Sequence, residues 1–257
     1  MTAPTWLDHA FVLVLVVLFP VRSATFGYRR LREARPERVP EVRVKLYRQA
    51  LGLQWSLTAI TIAVWAHERR PWSALGLVFR PSWVTLGLAL ASATAVTLML
   101  AQLPGALRDY DALARVRRRL ANLERMLPRT DTELALFWLL ALTAGVCEET
   151  LYRGYLFWYL GHWLPVVAVL IVGAIVFGIG HSYQGRRGVL TTTLAGLVAG
   201  GVYLLTGSLY LPMALHAFMD AWSGYVGRAA LRAGEGTPVD TTGLAGGPPV
   251  EPSPPPA

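Results

Sequence analysis

Long apolar stretches, set off by charged residues, organise the chain. No charged residue lies between Asp8 and Arg22, between Arg48 and Glu68, or between Arg80 and Arg108. A further charge-free run, 134–147, leads into the pair Glu148-Glu149, and 154–219 carries no charge except Arg186 and Arg187. About 20 consecutive apolar residues cross the hydrocarbon core of a bilayer as a helix. The pattern therefore predicts helical spans at 5–21, 49–67, 82–104, 134–160, 163–182, 188–206 and 209–229. The first stretch is short, so the count of about seven runs from six to eight. A re-entrant or surface helix also fits within 108–130. The expected fold class is all-α, a polytopic transmembrane helix bundle.

Composition supports this. Of the 257 residues, 54% are hydrophobic and 16% charged, where soluble domains carry ~25% charged residues. That leaves too little polar surface for an ordinary soluble enzyme, and it excludes a disordered protein or a coiled coil. The single cysteine, Cys147, excludes an intrachain disulfide and any multi-cysteine metal site. The net charge of +8 sets 23 Arg and one Lys, Lys45, against 16 Asp and Glu. Spread between apolar runs, these residues suit the anionic face of a bilayer better than nucleic acid. Twenty of them, including Arg22, Arg30, Arg43 and Arg117-Arg118-Arg119, fall on one side of the predicted topology. Arg69, Arg70, Arg80 and Arg153 are left for the other. The positive-inside rule puts the first group in the cytoplasm, with the N-terminus outside and the C-terminus inside. With no basic residue before the first apolar run, that run reads as an uncleaved anchor in a bacterial plasma membrane. Residues 234–257 are rich in Gly and Pro and are expected to be a disordered tail. The chain thus divides into N-terminal helices with basic loops (1–130), a core (131–233) and the tail (234–257).

Ionisable groups inside spans are costly and mark functional sites by default. Glu148, Glu149, Arg153, His181, His216 and Asp220 are such groups. Glu149 and Arg153 stand four residues apart on a helix, in the favourable order, so Arg153 neutralises Glu149. Glu148 projects about 100° away with no partner on its own helix, and an unpaired buried carboxylate suits a general base. A structural ion-pair cluster remains the alternative. His181 ends Phe177-Gly-Ile-Gly-His181, where an interfacial histidine is the alternative. His216 and Asp220 share a helical face and suit a ligand pair, a proton relay, an oxyanion donor pair or a mutual hydrogen bond. Two histidines with carboxylates on successive spans are what water activation needs. The zinc-protease signature His-Glu-x-x-His is absent. His9, His67 and His162 lie near span ends and read as interfacial.

In sequence order, Glu148-Glu149-x-x-x-Arg153, Phe177-x-x-x-His181 and His216-x-x-x-Asp220 resemble the motifs of the CPBP intramembrane proteases. These include the CAAX prenyl endopeptidases and bacteriocin-linked, Abi-like bacterial homologues. The resemblance covers residues 133–230 and implies a membrane endopeptidase acting on a peptide or protein substrate. By it, Glu148 is the base that activates water, His181 assists, His216 and Asp220 stabilise the oxyanion, and Arg153 holds Glu149. The favoured reading needs no cofactor, with zinc as the alternative. Asp220 departs from the Asn usual in prenyl-CAAX enzymes, and a charged Asp is no hydrogen-bond donor. Other classes are an inactive scaffold or immunity protein and a proton-coupled transporter. Geometry sets one demand. Glu148 lies about 15 residues, or ~22 Å, into its span from the face where His181 ends. The two meet only if the span of Glu148 protrudes or is broken, or if the span of His181 dips, with the site in the cytoplasmic half under a polar cavity.

Overall fold

The computed structural model describes residues 3–22 and 28–236, apart from the Phe19 side chain. Among these residues all regular structure is helical. Helix α1 (Trp6–Leu13) runs on through a π-helical turn, Val14–Leu18, into Phe19–Arg22. The short α2 (Tyr28–Glu33) follows, then α3 (Val39–His67), α4 (Trp83–Ala106) and α5 (Tyr110–Arg119). Next come α6 (Asp131–Leu160), α7 (Val166–Gly180), α8 (Gly185–Thr206) and α9 (Tyr210–Gly236). Every predicted span is met by a helix, and a further helix, α5, lies within 108–130.

Three helices are long and apolar enough to cross a membrane: Trp83–Ala106, Asp131–Leu160 and Ser182–Thr206. The remaining predicted spans differ for physical reasons. At 15 residues α7 is short, about 22 Å against ~30 Å of hydrocarbon. Polar side chains interrupt α3 at Gln54 and α9 at His216 and Asp220, and a π turn interrupts the first helix. Residues 234–236, expected in the tail, belong to α9, which continues through Gly236. The rest of that segment, 237–257, lies outside the described residues.

Pairs of buried charges join the N-terminal helices to α6. Arg43 of α3 donates from Nε to Glu133 Oε1 at 3.2 Å and from NH1 to the Leu127 carbonyl at 2.9 Å. Glu133 in turn caps α6, taking hydrogen bonds on Oε2 from the backbone of Arg129 and Thr130, in a capping box with Thr130. Arg125 completes the link by donating to the carbonyls of Leu31, Arg32 and Ala34 at the end of α2.

A second pair holds α1. Asp8 and Arg70 are buried and joined by two parallel hydrogen bonds, 2.8 and 2.6 Å. Tyr155 of α6 donates to Asp8 Oδ1 at 2.9 Å, and the Arg70 guanidinium lies 4.3 Å from the Trp158 ring centre. To reach this position the chain reverses after α3 through Arg69, at φ 50°, while Arg70 N–H bonds back to the Trp65 carbonyl. A left-handed backbone at a non-glycine residue costs ~1–3 kcal/mol, which the buried network offsets.

Close helix approach fixes α9 against α6. A Cβ on Gly145 would lie 2.6 Å from the Met213 carbonyl oxygen and 2.9 Å from the Ala217 nitrogen. Both neighbours are α9 backbone and cannot swing aside. Helix α4 has no buried residue, so its apolar surface is left to the lipid.

Arg70→Met should lower stability in detergent by ~3–5 kcal/mol, because Asp8 is left buried and unpaired. Adding Asp8→Asn should restore part of the loss. Thermal melts of the single and double variants measure both, and a single variant as stable as wild type would remove the lock from this account.

Candidate active site

The site forms where α6 changes pitch. Regular α-helix ends at Glu148, and a π-helical segment, Glu149–Leu156, follows. Wider turns of this kind gather at functional sites. Glu148, Glu149 and Arg153 are all buried, Glu149 at 0% exposure. The depth demanded by the sequence is met from both sides. Helix α6 begins at Asp131, earlier than predicted, and α7 ends after 15 residues at Gly180, just before His181. Nε2 of His181 comes to 3.8 Å from Glu148 Oε2.

Glu149 is the most constrained member. Arg153 NH1 donates to its Oε1 at 2.8 Å, as the four-residue spacing predicted. His216 Nδ1 meets the same oxygen at 2.8 Å. The Arg153 guanidinium also lies 4.0 Å from the Phe177 ring centre, a cation–π contact. Phe177 packs edge-on to His216 at 5.9 Å. The Phe of the Phe-x-x-x-His pattern is thus a plate between the α6 arginine and the α9 histidine.

The two histidines present the same atom to Glu148. His181 Nδ1 is 2.9 Å from the Phe177 carbonyl, which can only accept, so the ring proton sits on Nδ1 and Nε2 faces the site. With Nδ1 of His216 on the Glu149 carboxylate, its Nε2 is also directed inward, 3.9 Å from Glu148 Oε2. Asp220 Oδ2 is 3.6 Å from that Nε2. At 3.6 Å the direct His216–Asp220 hydrogen bond, one option of the sequence reading, does not form, and Glu149 holds the other ring nitrogen. Asp220 remains half exposed at the edge of the cluster, its side chain 46% accessible.

Glu148 has a partner that motif reading missed. Gln54 of α3 donates from Nε2 to Glu148 Oε1 at 2.9 Å. The other oxygen, Oε2, is buried and without a hydrogen bond. A signal for Gln54 exists, since it is an amide within a charge-free apolar run, but attention to ionisable groups passed it over.

Glu148, His181, Asp220 and Gln54 line one cavity of about 310 Å³. Leu53, Leu127, Phe137 and Ala144 are among its apolar walls, and its lining extends to Tyr28, Arg22 and Arg30. His9 and His162 bond elsewhere, to the Tyr159 hydroxyl and the Trp158 carbonyl. Among the described residues no three His, Cys, Asp or Glu side chains are arranged to hold a metal.

Residues 130–222 match the family model described as Rce1-like, type II CAAX prenyl endopeptidase. The chain carries a domain of this family. The matched segment opens at the Thr130 cap of α6 and closes just past Asp220, so it holds every motif residue and omits Gln54, Arg22 and Arg30. The CAAX endopeptidase family is one of membrane proteases, in keeping with the three membrane-length helices. No curated protein and no solved structure matches the chain.

Because Glu149 is neutralised only by its neighbours, Arg153→Ala should cost ~3–5 kcal/mol and reduce the amount of folded protein. Gln54→Met keeps the side-chain volume and loses one hydrogen bond to a charged group, a cost of ~1.5–3 kcal/mol. Chemical denaturation in detergent ranks the two, and the reverse order would show that Glu149 is not the residue most dependent on its partners.

Proposed function

We propose that the chain is an intramembrane endopeptidase in which Glu148 activates water for attack on a peptide bond. One observation carries this reading: Glu148 Oε2 is buried, free of hydrogen bonds, and faced by Nε2 of both His181 and His216 at 3.8 and 3.9 Å. These gaps are too long for direct hydrogen bonds and fit a bridging water. Glu148 Oε2 takes a proton from that water as its oxygen bonds to the scissile carbonyl carbon. His181 Nε2 accepts the second water hydrogen and orients the nucleophile. When His216 carries both ring protons, Nδ1–H stays on Glu149 and Nε2–H donates to the oxyanion. Collapse of the intermediate breaks the C–N bond, and Glu148 returns its proton to the leaving nitrogen. Gln54 holds the base, Arg153 and Phe177 hold Glu149, and Asp220 supports His216. Leader-peptide or CAAX-type processing are both substrates of this kind.

The basic asymmetry supports an orientation with the N-terminus outside and the arginine-rich loops in the cytoplasm of a plasma membrane. A reporter after Arg232 should then read cytoplasmic and one at the N-terminus external. A C-terminal reporter active only outside reverses the orientation.

Two substitutions test the chemistry. Glu148→Gln should abolish cleavage while the protein still accumulates, as found by comparing the membrane peptides of wild-type and variant cells. Equal cleavage by both would sink the assignment of the base. Asp220→Asn keeps a polar group beside His216 and supplies an N–H donor, so activity should stay near wild type, with or without chelator. Loss of an oxyanion donor costs ~2.7–4 kcal/mol, a fall too large to miss. An inactive Asp220→Asn, with a parent enzyme killed by chelator and rescued by zinc, would make this a metalloenzyme.

A further inference from the structure

The cavity that holds Glu148 is lined by charges of both signs. Its two carboxylates, Glu148 and Asp220, belong to the histidine end. Its two arginines, Arg22 at the end of the first helix and Arg30 on α2, lie outside the matched domain. Among the described residues neither makes an ion pair, whereas the adjacent Arg29 is taken by Glu33 at 2.8 Å and Arg129 by Glu124 and Glu235. Tyr28 lines the cavity beside them. Burial raises the pKa of its phenol, with Arg32 and Arg125 opposing the shift, so it remains a neutral O–H donor. A guanidinium fork grips a carboxylate through parallel charge-assisted hydrogen bonds, and two exposed forks without an ion pair among the described residues, on a cavity walled by Leu53, Leu127 and Phe137, favour an anion carried on an apolar chain.

We propose that Arg22 and Arg30 form an anion subsite that reads a carboxylate on the substrate peptide, orienting its cleavable bond toward Glu148. The proposal rests on the endopeptidase reading and adds a substrate class to it: apolar peptides bearing a carboxylate close to the cut. That carboxylate belongs either to an acidic side chain or to the chain terminus. Lipid headgroups could also engage arginines, but these two line the same cavity as the catalytic carboxylate, which favours the peptide.

The test is peptide binding, independent of cleavage. Fluorescent apolar decapeptides, with Glu or Gln placed at each position in turn and with free or amidated C-termini, are titrated onto the Glu148→Gln protein. The protein is held in nanodiscs of neutral phosphatidylcholine. At least one carboxylate-bearing peptide should bind about tenfold or more tightly than its uncharged twin. The Glu/Gln and free/amidated pairs show which source of carboxylate is read. Adding Arg22→Gln with Arg30→Gln should reduce the preference to about twofold or less, while Arg22→Lys with Arg30→Lys should keep most of it. Equal binding of every pair, a preference unchanged by the glutamine substitutions, or no binding by any peptide overturns the subsite. So does an effect of the glutamine substitutions seen only when anionic phosphatidylglycerol is added, which assigns the arginines to the bilayer. Peptides that bind with charge preference but are never cut by the wild-type protein would refute the protease reading and leave the subsite standing. Cleavage without charge preference would do the reverse.

Discussion

Everything at the centre of this molecule depends on one carboxylate that water does not reach. Glu149 is buried, and its ionised form is tolerable only because Arg153 and His216 both meet Oε1 at 2.8 Å. That single atom therefore ties α6 to α9. It fixes the tautomer and direction of His216, and it lets Arg153 lie over Phe177, which connects α7 to the same point. Glu148, one residue earlier, is free for a different task because its neighbour absorbs the available positive charge. Two adjacent carboxylates thus acquire opposite characters, one compensated and one open, from nothing more than which partners reach them.

The backbone makes this possible at two places. Gly145 lets α9 approach until a side chain of any size on α6 would strike the Met213 carbonyl, and that approach sets the distance from His216 to both glutamates. The π segment from Glu149 onward then re-aims the side chains that follow. Helix α7 contributes by ending at Gly180, so that His181 just beyond it reaches Glu148. No one helix builds the site. It exists at the crossing of four, with α3 supplying Gln54 from outside the segment that defines the family.

Much of this was legible from residue order. Buried ionisable groups stand out against apolar runs, so Glu148, Glu149, Arg153, His181, His216 and Asp220 were all singled out, and the structure brings them together. The helices fell where charge-free runs placed them. What escaped was pairing at long range. Asp8 read as the edge of a span, and Arg43 and Arg70 as loop charges on the two membrane faces. Asp8–Arg70 and Arg43–Glu133 are instead internal locks, joining residues 62 and 90 apart. Periodicity carries no information at that separation. Gln54 escaped for another reason: a neutral amide raises no alarm in a hydropathy pattern, though among the described residues it gives Glu148 its one side-chain hydrogen bond. The count of spans was legible only in part, because the polar residues that equip α3 and α9 for the site make those helices less apolar.

These same separations have a meaning in time. A ribosome adds ~5–20 residues per second. Gln54 precedes Glu148 by 94 residues and Arg43 precedes Glu133 by 90, so each waits about 5–20 s for its partner to be made. During that interval α3 carries a cation and an amide whose final partners do not yet exist. Water, lipid headgroups or the insertion machinery must satisfy them. The N-terminal half is therefore a provisional structure, and the arrival of α6 completes the earlier helices as well as the active site.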